Sequence, residues 1–266
     1  MNEDTLVVNE KDGVYGVVDG ATSLSDYRDD CGRTGGYIAA HLLASHLQNV
    51  PEDTSLTDVV MRANKELRQK MAEAGVDVAD KTQLWSAAFA VFRVGDTYVE
   101  YVQAGDCMLF AKYRDGTYRQ ITIDQVAHAD RLALQKRREA IARGIREPEK
   151  IREYVYPTIR ENRTKANTPE GYAVMNGEID LRDHLEAGRI SRARLSRLYA
   201  VTDGLFHCLE GEEPCVVWSR MLSDIDRYGL EAYAANLLRM ERDDPDCTKM
   251  PRLKISDDKT GIVLDL

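Results

Sequence analysis

The amino-acid sequence predicts one α+β domain over residues 1–266, with helices covering a largely antiparallel sheet system. Three observations predict it. Apolar residues recur at helical spacing in the first third of the chain, the period changes to that of strands between Ser86 and Thr122, and no internal repeat or shift of composition divides the sequence. Val14–Asp19 is a short β-branched run stopped by Gly20, a buried strand that delivers Asp19 to its end. Gly35–Leu47 places Ile38, Leu42, Leu43 and Leu47 on successive turns of a helix, and Leu56, Val59, Val60, Ala63, Leu67 and Met71 mark a second. Ala87–Val94, Tyr98–Ala104, Met108–Tyr113 and Tyr118–Thr122 then read as four sequential strands of an antiparallel meander. Gly95-Asp96 and Asp115-Gly116 supply two-residue turns that tolerate positive φ. A helix is expected over Ala129–Arg143, closed by Gly144. Pro148, Pro157 and Pro169 predict an irregular surface excursion from Ile145 to Pro169, followed by a strand at Tyr172–Met175. Leu198–Thr202 is a strand ending in Asp203-Gly204, two helices fit between Val216 and Met240, and Gly261–Leu266 closes the sheet system.

Composition removes several classes of function. With 43% hydrophobic and 30% charged residues and no low-complexity tract, the chain is a globular protein. No apolar run approaches the roughly 18 residues that span a bilayer. Met1 is followed at once by Asn2, Glu3 and Asp4 rather than by a signal peptide, so a cytoplasmic protein with no membrane partner is expected. A net charge of −9 disfavours nucleic acid as a partner, although Arg131–Lys165 runs the other way, with 11 Lys or Arg against 5 Asp or Glu. The five cysteines Cys31, Cys107, Cys208, Cys215 and Cys247 form no C-x-x-C pair, which argues against a disulfide framework and a zinc ribbon. Cys107 and Cys208 sit in no glycine-rich loop ending in Arg, as a nucleophilic phosphatase cysteine requires. No pair of histidines has metal-ligand spacing, and no Walker A loop or dinucleotide fingerprint is present.

The acidic residues carry more information. Asp19 (VVDG), Asp106 (AGDC), Asp203 (VTDG) and Asp257-Asp258 (SDDKT) share one design, a β-type run that stops abruptly at Asp, usually beside Gly. Asp-Gly also marks ordinary turns, and Asp115-Gly116 is one. Carboxylates at neighbouring strand ends converge, however, and repel one another unless a cation lies between them. Mg²⁺ or Mn²⁺ is the natural occupant, since both take oxygen ligands and keep waters. Gly20 would let its carbonyl approach the metal as well.

In this order the motifs resemble the PPM or type 2C family of metal-dependent serine/threonine phosphatases over essentially the whole chain. Asn2-Glu3-Asp4 looks like the end of the family's N-terminal motif, and Val18-Asp19-Gly20 like its Asp-Gly motif. Gly35-Gly36 resembles the start of its first helix, and Ser86-Ala87-Ala88 with Gly105-Asp106-Cys107 its small-residue strand and Gly-Asp-Ser motif. Thr202-Asp203-Gly204-Leu205 and Asp257-Asp258-Lys259-Thr260 are similar to its last two metal motifs. The resemblance implies an αββα sandwich, two antiparallel sheets packed together under outer helices. It also implies two Mn²⁺ or Mg²⁺ ions: Asp19 bridges them, Gly20 lends its carbonyl to one, Asp203 and Asp257 hold the other, and Glu3 or Asp4 acts directly or through water. A third, weaker ion is often seen in the family, with Asp106 as a ligand and Asp80 a poorer one. The implied activity is hydrolysis of phosphoserine or phosphothreonine in a phosphorylated protein by cation-activated water, with Asp19, Asp203 and Asp257 acting through that water and the chain acting as a monomer.

Departures from the family pattern bear on the site. The family usually carries a phosphate-binding Arg shortly before its Asn-Glu-Asp motif, and no residue of this sequence matches it. Arg160, Arg163 and Lys165 are the internal replacements, in a segment that resembles one near the substrate cleft of a bacterial subgroup; a solvated basic face is the ordinary alternative. Ala21-Thr22 stands where some members carry a His after Asp-Gly. His207 stands where many have an acidic residue after Asp-Gly-Leu, which weakens the third-ion site. Two other readings stay open: a catalytically weak module that binds a phosphorylated partner, and a phosphatase of small phosphate esters.

Overall fold

The computed structural model describes residues 1–21, 24–51, 53–207 and 214–266, with the backbone alone at 214 and 215; Thr22, Cys208 and the Cys215 thiol lie outside the described residues. Its strands are β1 (Thr5–Asn9), β2 (Val14–Ala21), β3 (Ser86–Val94), β4 (Tyr98–Ala104), β5 (Met108–Tyr113), β6 (Tyr118–Gln120), β7 (Glu186–Ser191), β8 (Leu195–Val201) and β9 (Gly261–Asp265). Its helices are α1 (Gly35–Leu47), α2 (Leu56–Glu73), α3 (Ala127–Ala142), α4 (Pro148–Thr164), the single turn α5 (Leu181–His184), α6 (Pro214–Tyr228) and α7 (Leu230–Arg242). One sheet has the order β1-β2-β3-β4-β7 and the other β6-β5-β8-β9, and every pairing is antiparallel.

Strand periodicity builds three apolar layers, because successive side chains leave opposite faces. On β2, Val18 joins Leu43, Leu47, Leu67 and Phe89 in a core between the first sheet and α1 with α2. Its neighbour Val17 faces the other way, with Ala90, Phe92, Leu109 and Leu198, in the core between the sheets. On β5, Leu109 takes the inner core while Phe110 packs outward with Tyr199, Trp218, Met221 and Leu237 beneath α6 and α7. The result is a four-layer αββα sandwich. The outer helix α6 is pinned by Asp226, which accepts from Lys112, Tyr118, Tyr199 and Arg197. Burial alone would raise that carboxyl, but these donors hold it well below the usual range.

Three expectations are corrected, and two strands go unannounced in the sequence. The four central strands form no single meander: β4 pairs with β3 and β5 with β6, but the chain changes sheets between Ala104 and Met108. Gly105 makes that crossing, with φ +83, and a Cβ there would stand 2.5 Å from the Ala88 Cβ. Gly105→Ala should therefore lower thermal stability by about 1–3 kcal/mol, read as a fall in Tm. The expected irregular excursion is largely the 17-residue helix α4. Pro148 occupies its first turn, where no N–H is needed, and Pro157 lies on the exposed side, where the carbonyl it frees faces solvent. The Tyr172–Met175 strand reduces to one bridge, Met175 to Ala87. Side chains take the neighbouring main chain instead: Gln125 accepts from the Ala173 amide, and Asn167 both accepts from and donates to Val174. Finally, β1 and β7 are edge strands that the sequence did not announce. The hydrophobics Leu6 and Val8 point to solvent on β1, and only Ile190 is buried on β7.

Candidate metal centre

Antiparallel order brings alternate strand ends to one edge of the sandwich, and those ends carry the acidic residues. Asp4 precedes β1, Asp19 lies near the end of β2, Asp106 lies in the β4–β5 crossing, Asp203 follows β8, and Asp257-Asp258 precede β9. Opposite Asp19, Gly20 and Ala21 the neighbouring strand presents only Ala88, Ala87 and Ser86, so no bulky side chain fills the edge. The end of β8 and the approach to β9 are drawn together at Gly204, where a Cβ would fall 1.7 Å from the Asp258 carbonyl oxygen.

The hydrogen bonds show which carboxylates are committed. Asp4 accepts from the Thr202 hydroxyl at 2.9 Å, and the Thr260 amide donates to the same hydroxyl at 3.1 Å, which ties β1, β8 and β9 into one corner. Asp258 accepts from the Glu3 amide at 2.7 Å. The Glu3 carboxylate turns away to accept from Thr34, the N-cap of α1. Asp257 takes the Lys254 ammonium on both oxygens, at 2.8 and 3.0 Å. Among the described residues, Asp203 Oδ1 is buried with no hydrogen-bond partner. Gly20 lies beside the first turn of α1, its Cα facing the Gly36 carbonyl.

Mutual repulsion is written in the proton affinities. Burial first, then the charges of Asp203, Asp4, Asp106 and Asp257, push the Asp19 carboxyl well up. Burial followed by Asp257 raises Asp203 to about 6. Burial raises Asp4 to about 6 as well, against the hydrogen bonds from Thr260 and Thr202 and with added repulsion from Asp258. Asp106 is pushed up by burial and then by Asp203, Asp124 and Asp130. The Cys107 thiol is also driven up, by burial and then by Asp19 and Asp106, which keeps it protonated and unsuited to nucleophilic attack. The structure thus brings Asp4, Asp19, Gly20, Asp106, Asp203 and Asp257 to one edge and leaves the Glu3 side chain outside the group. Asp80 is spent within its own loop on Thr82 and Gln83.

Sequence reading missed Asp124 and Asp130. Asp124 accepts from the Val126 and Ala127 amides at 3.0 and 2.8 Å, capping α3 from just outside it. Asp130 follows in the first turn; although solvent reaches it, crowding in the cleft and then the charges of Asp203 and Asp124 raise its carboxyl. The signal was available, since an Asp three residues before a helix can accept from the first free amides of that helix. A cleft of about 390 Å³ opens beside Asp124, lined also by His128, Arg131, Tyr172 and His184. The two predicted arginines part company. Arg163 reaches back from α4 to donate to the Ser86 hydroxyl at 2.7 Å, next to the end of β2. Arg160 lends its charge to Asp80 instead.

Residues 1–240 match a family model described as protein phosphatase 2C. Among solved structures, the serine/threonine phosphatase PstP/Ppp of Mycobacterium tuberculosis superposes with a TM-score of 0.57 at 15% identity, covering 100% of this chain and 92% of that one. Stp1 from Staphylococcus aureus gives 0.55 at 15% identity, covering 100% and 89%. The catalytic domain of PstP in complex with two manganese ions gives 0.55 at 15% identity, covering 99% and 90%. Likeness at this level of identity shows the fold. Comparison with curated protein sequences yields no match.

Proposed function

The chain belongs to the protein phosphatase 2C family, and from that premise we propose that it hydrolyses phosphoserine and phosphothreonine in phosphorylated proteins at a binuclear Mn²⁺ or Mg²⁺ centre. The observation that supports this most is the convergence of Asp4, Asp19, Asp106, Asp203 and Asp257 from strands of both sheets onto one open edge. The donor set fits hard divalent cations: carboxylate oxygens dominate it, and the buried Asp203 Oδ1 has no hydrogen-bond partner among the described residues. In the proposed assignment Asp19, Gly20 and Asp4 would hold one ion and Asp19, Asp203 and Asp257 the other, while Asp106 would serve a weaker third. Bound cations supply Lewis acidity, offsetting charge on the phosphoryl oxygens and acidifying water. The manganese ions of the PstP structure agree with that choice of metal.

The chain's own residues have separate tasks. Thr202 and Thr260 hold Asp4 in place from β8 and the approach to β9. Arg163, anchored on Ser86, carries its positive charge beside the end of β2, where it can attract a phosphoryl group. With Cys107 protonated and buried, none of the described cysteines offers a nucleophile at the acidic edge, so direct attack by water is the reading. Among the described residues no helix is long and apolar enough to cross a membrane, and the reading takes the protein to act in the cytoplasm as a monomer.

Phosphate release from a phosphothreonine peptide and from a small phosphomonoester, with Mn²⁺ and with chelator, tests the proposal. Cation-dependent release from the peptide is expected, and release from the small ester alone would move the substrate class. No release from the folded, cation-loaded chain would replace the enzyme with a module that binds a phosphorylated partner. Arg163→Ala should raise KM for the peptide about tenfold with a smaller change in kcat. A lowered Tm with KM and kcat both unchanged would leave Arg163 a purely structural tie to β3.

A further inference from the structure

The sulfur of Cys107 is fully buried, and no hydrogen bond engages it among the described residues. It lies beside two carboxylates of the acidic edge. One oxygen from each of Asp19 and Asp106 and the Cys107 sulfur lie within 4.8 Å of one another. Around a tetrahedral ion with Zn–S near 2.3 Å and Zn–O near 2.1 Å, sulfur and oxygen ligands stand about 3.6 Å apart, so small side-chain rotations close the set. The apolar neighbours of Cys107, among them Val17, Ala88 and Leu109, account for its burial but not for the two carboxylates at its sulfur. A hydroxyl in this place would add another hard donor, whereas a thiol adds a soft one beside the two carboxylates.

We propose that Asp19, Asp106 and Cys107 form a mixed carboxylate–thiolate site for a thiophilic divalent cation of the Zn²⁺ class, which competes with the catalytic ions for Asp19. The site rests on the phosphatase reading only through that shared carboxylate. Binding releases the thiol proton to solvent and forms a metal–sulfur bond; nothing is oxidised or reduced. Mg²⁺ and Mn²⁺, which prefer oxygen, leave the sulfur unbound. Zinc ion would therefore hold the enzyme in an inactive, tightly loaded state.

Anaerobic titration of the full chain with Co²⁺, read by thiolate-to-cobalt absorption, tests the site. A saturable band is expected, displaced by one equivalent of Zn²⁺, absent from Cys107→Ser, and accompanied in that variant by a fall in Zn²⁺ affinity of about tenfold or more. X-ray absorption at the zinc edge of the unmodified chain should show one sulfur among oxygen ligands, and this serves equally if the variant does not fold. A band that survives in Cys107→Ser, or an all-oxygen zinc shell, overturns the thiolate site. Mn²⁺ binding followed in parallel by paramagnetic resonance separates the two ideas. Manganese bound without any cobalt–thiolate band sinks this site alone, and a chain that binds neither metal sinks the phosphatase reading with it.

Discussion

Asp203→Asn should lower cation-dependent phosphate release by on the order of 10³-fold or more while raising the Tm of the cation-free protein. Both signs come from one arrangement. Asp203 buries Oδ1 without a partner, and its carboxyl is raised to about 6 by burial and Asp257. An amide removes a charge that Asp19 and Asp106 would otherwise face, so the empty fold relaxes. The same amide offers only a neutral oxygen to a cation. Activity is read with Mn²⁺ and stability by melting in chelator. Activity and apo-stability falling together would mean that Asp203 supports the fold and not a cation.

The cation-free protein should also lose stability as pH rises from about 4 to 7. Asp4 and Asp203 titrate at about 6 in the fold against 3.8 when unfolded. A raised native pKa means that the folded chain binds protons more tightly. The stabilisation is then fully present below the unfolded value and is lost as pH climbs through the native one. A divalent cation reverses the trend, because the ionised carboxylates that destabilise the empty fold are the ones that bind it. At a hundredfold excess over its Kd it should add about 2.7 kcal/mol, a rise in Tm of about 5–10 °C for a chain of this size. Calorimetry across that pH range, with chelator and with Mn²⁺, checks both halves. A cation-free Tm that climbs with pH would show that the carboxylates are not in one another's field.

Where side chains decide the structure, the sequence was readable. Val17 and Val18 announce a strand with two apolar faces, and Leu56 to Met71 announce the helix that covers one of them. The acidic edge was legible for the same reason, since each run stops at its Asp. Main-chain pairing was not legible. Strand β7, EAGRIS, has only one buried residue and is held by its register against β4. The break of the meander at Gly105 hides in a dipeptide that would serve equally as a hairpin turn. In α4 two prolines, with Pro169 just beyond it, outweighed helical spacing, although Pro148 sits where helices accept it and Pro157 on the exposed side. Asp124 and Asp130 escaped because α3 begins two residues earlier than its apolar pattern, which moves its cap into the cleft.

The corner where the Glu3 amide meets Asp258 joins residues 255 apart in sequence, and Asp4 meets Thr202 across 198. Contacts of such separation close late, after the intervening layers have collapsed. Ions bound there cannot template the search for the fold; they can only be captured once it is over. The benefit therefore falls on the escape rate: cations should lengthen the lifetime of the native state while leaving the refolding rate nearly untouched.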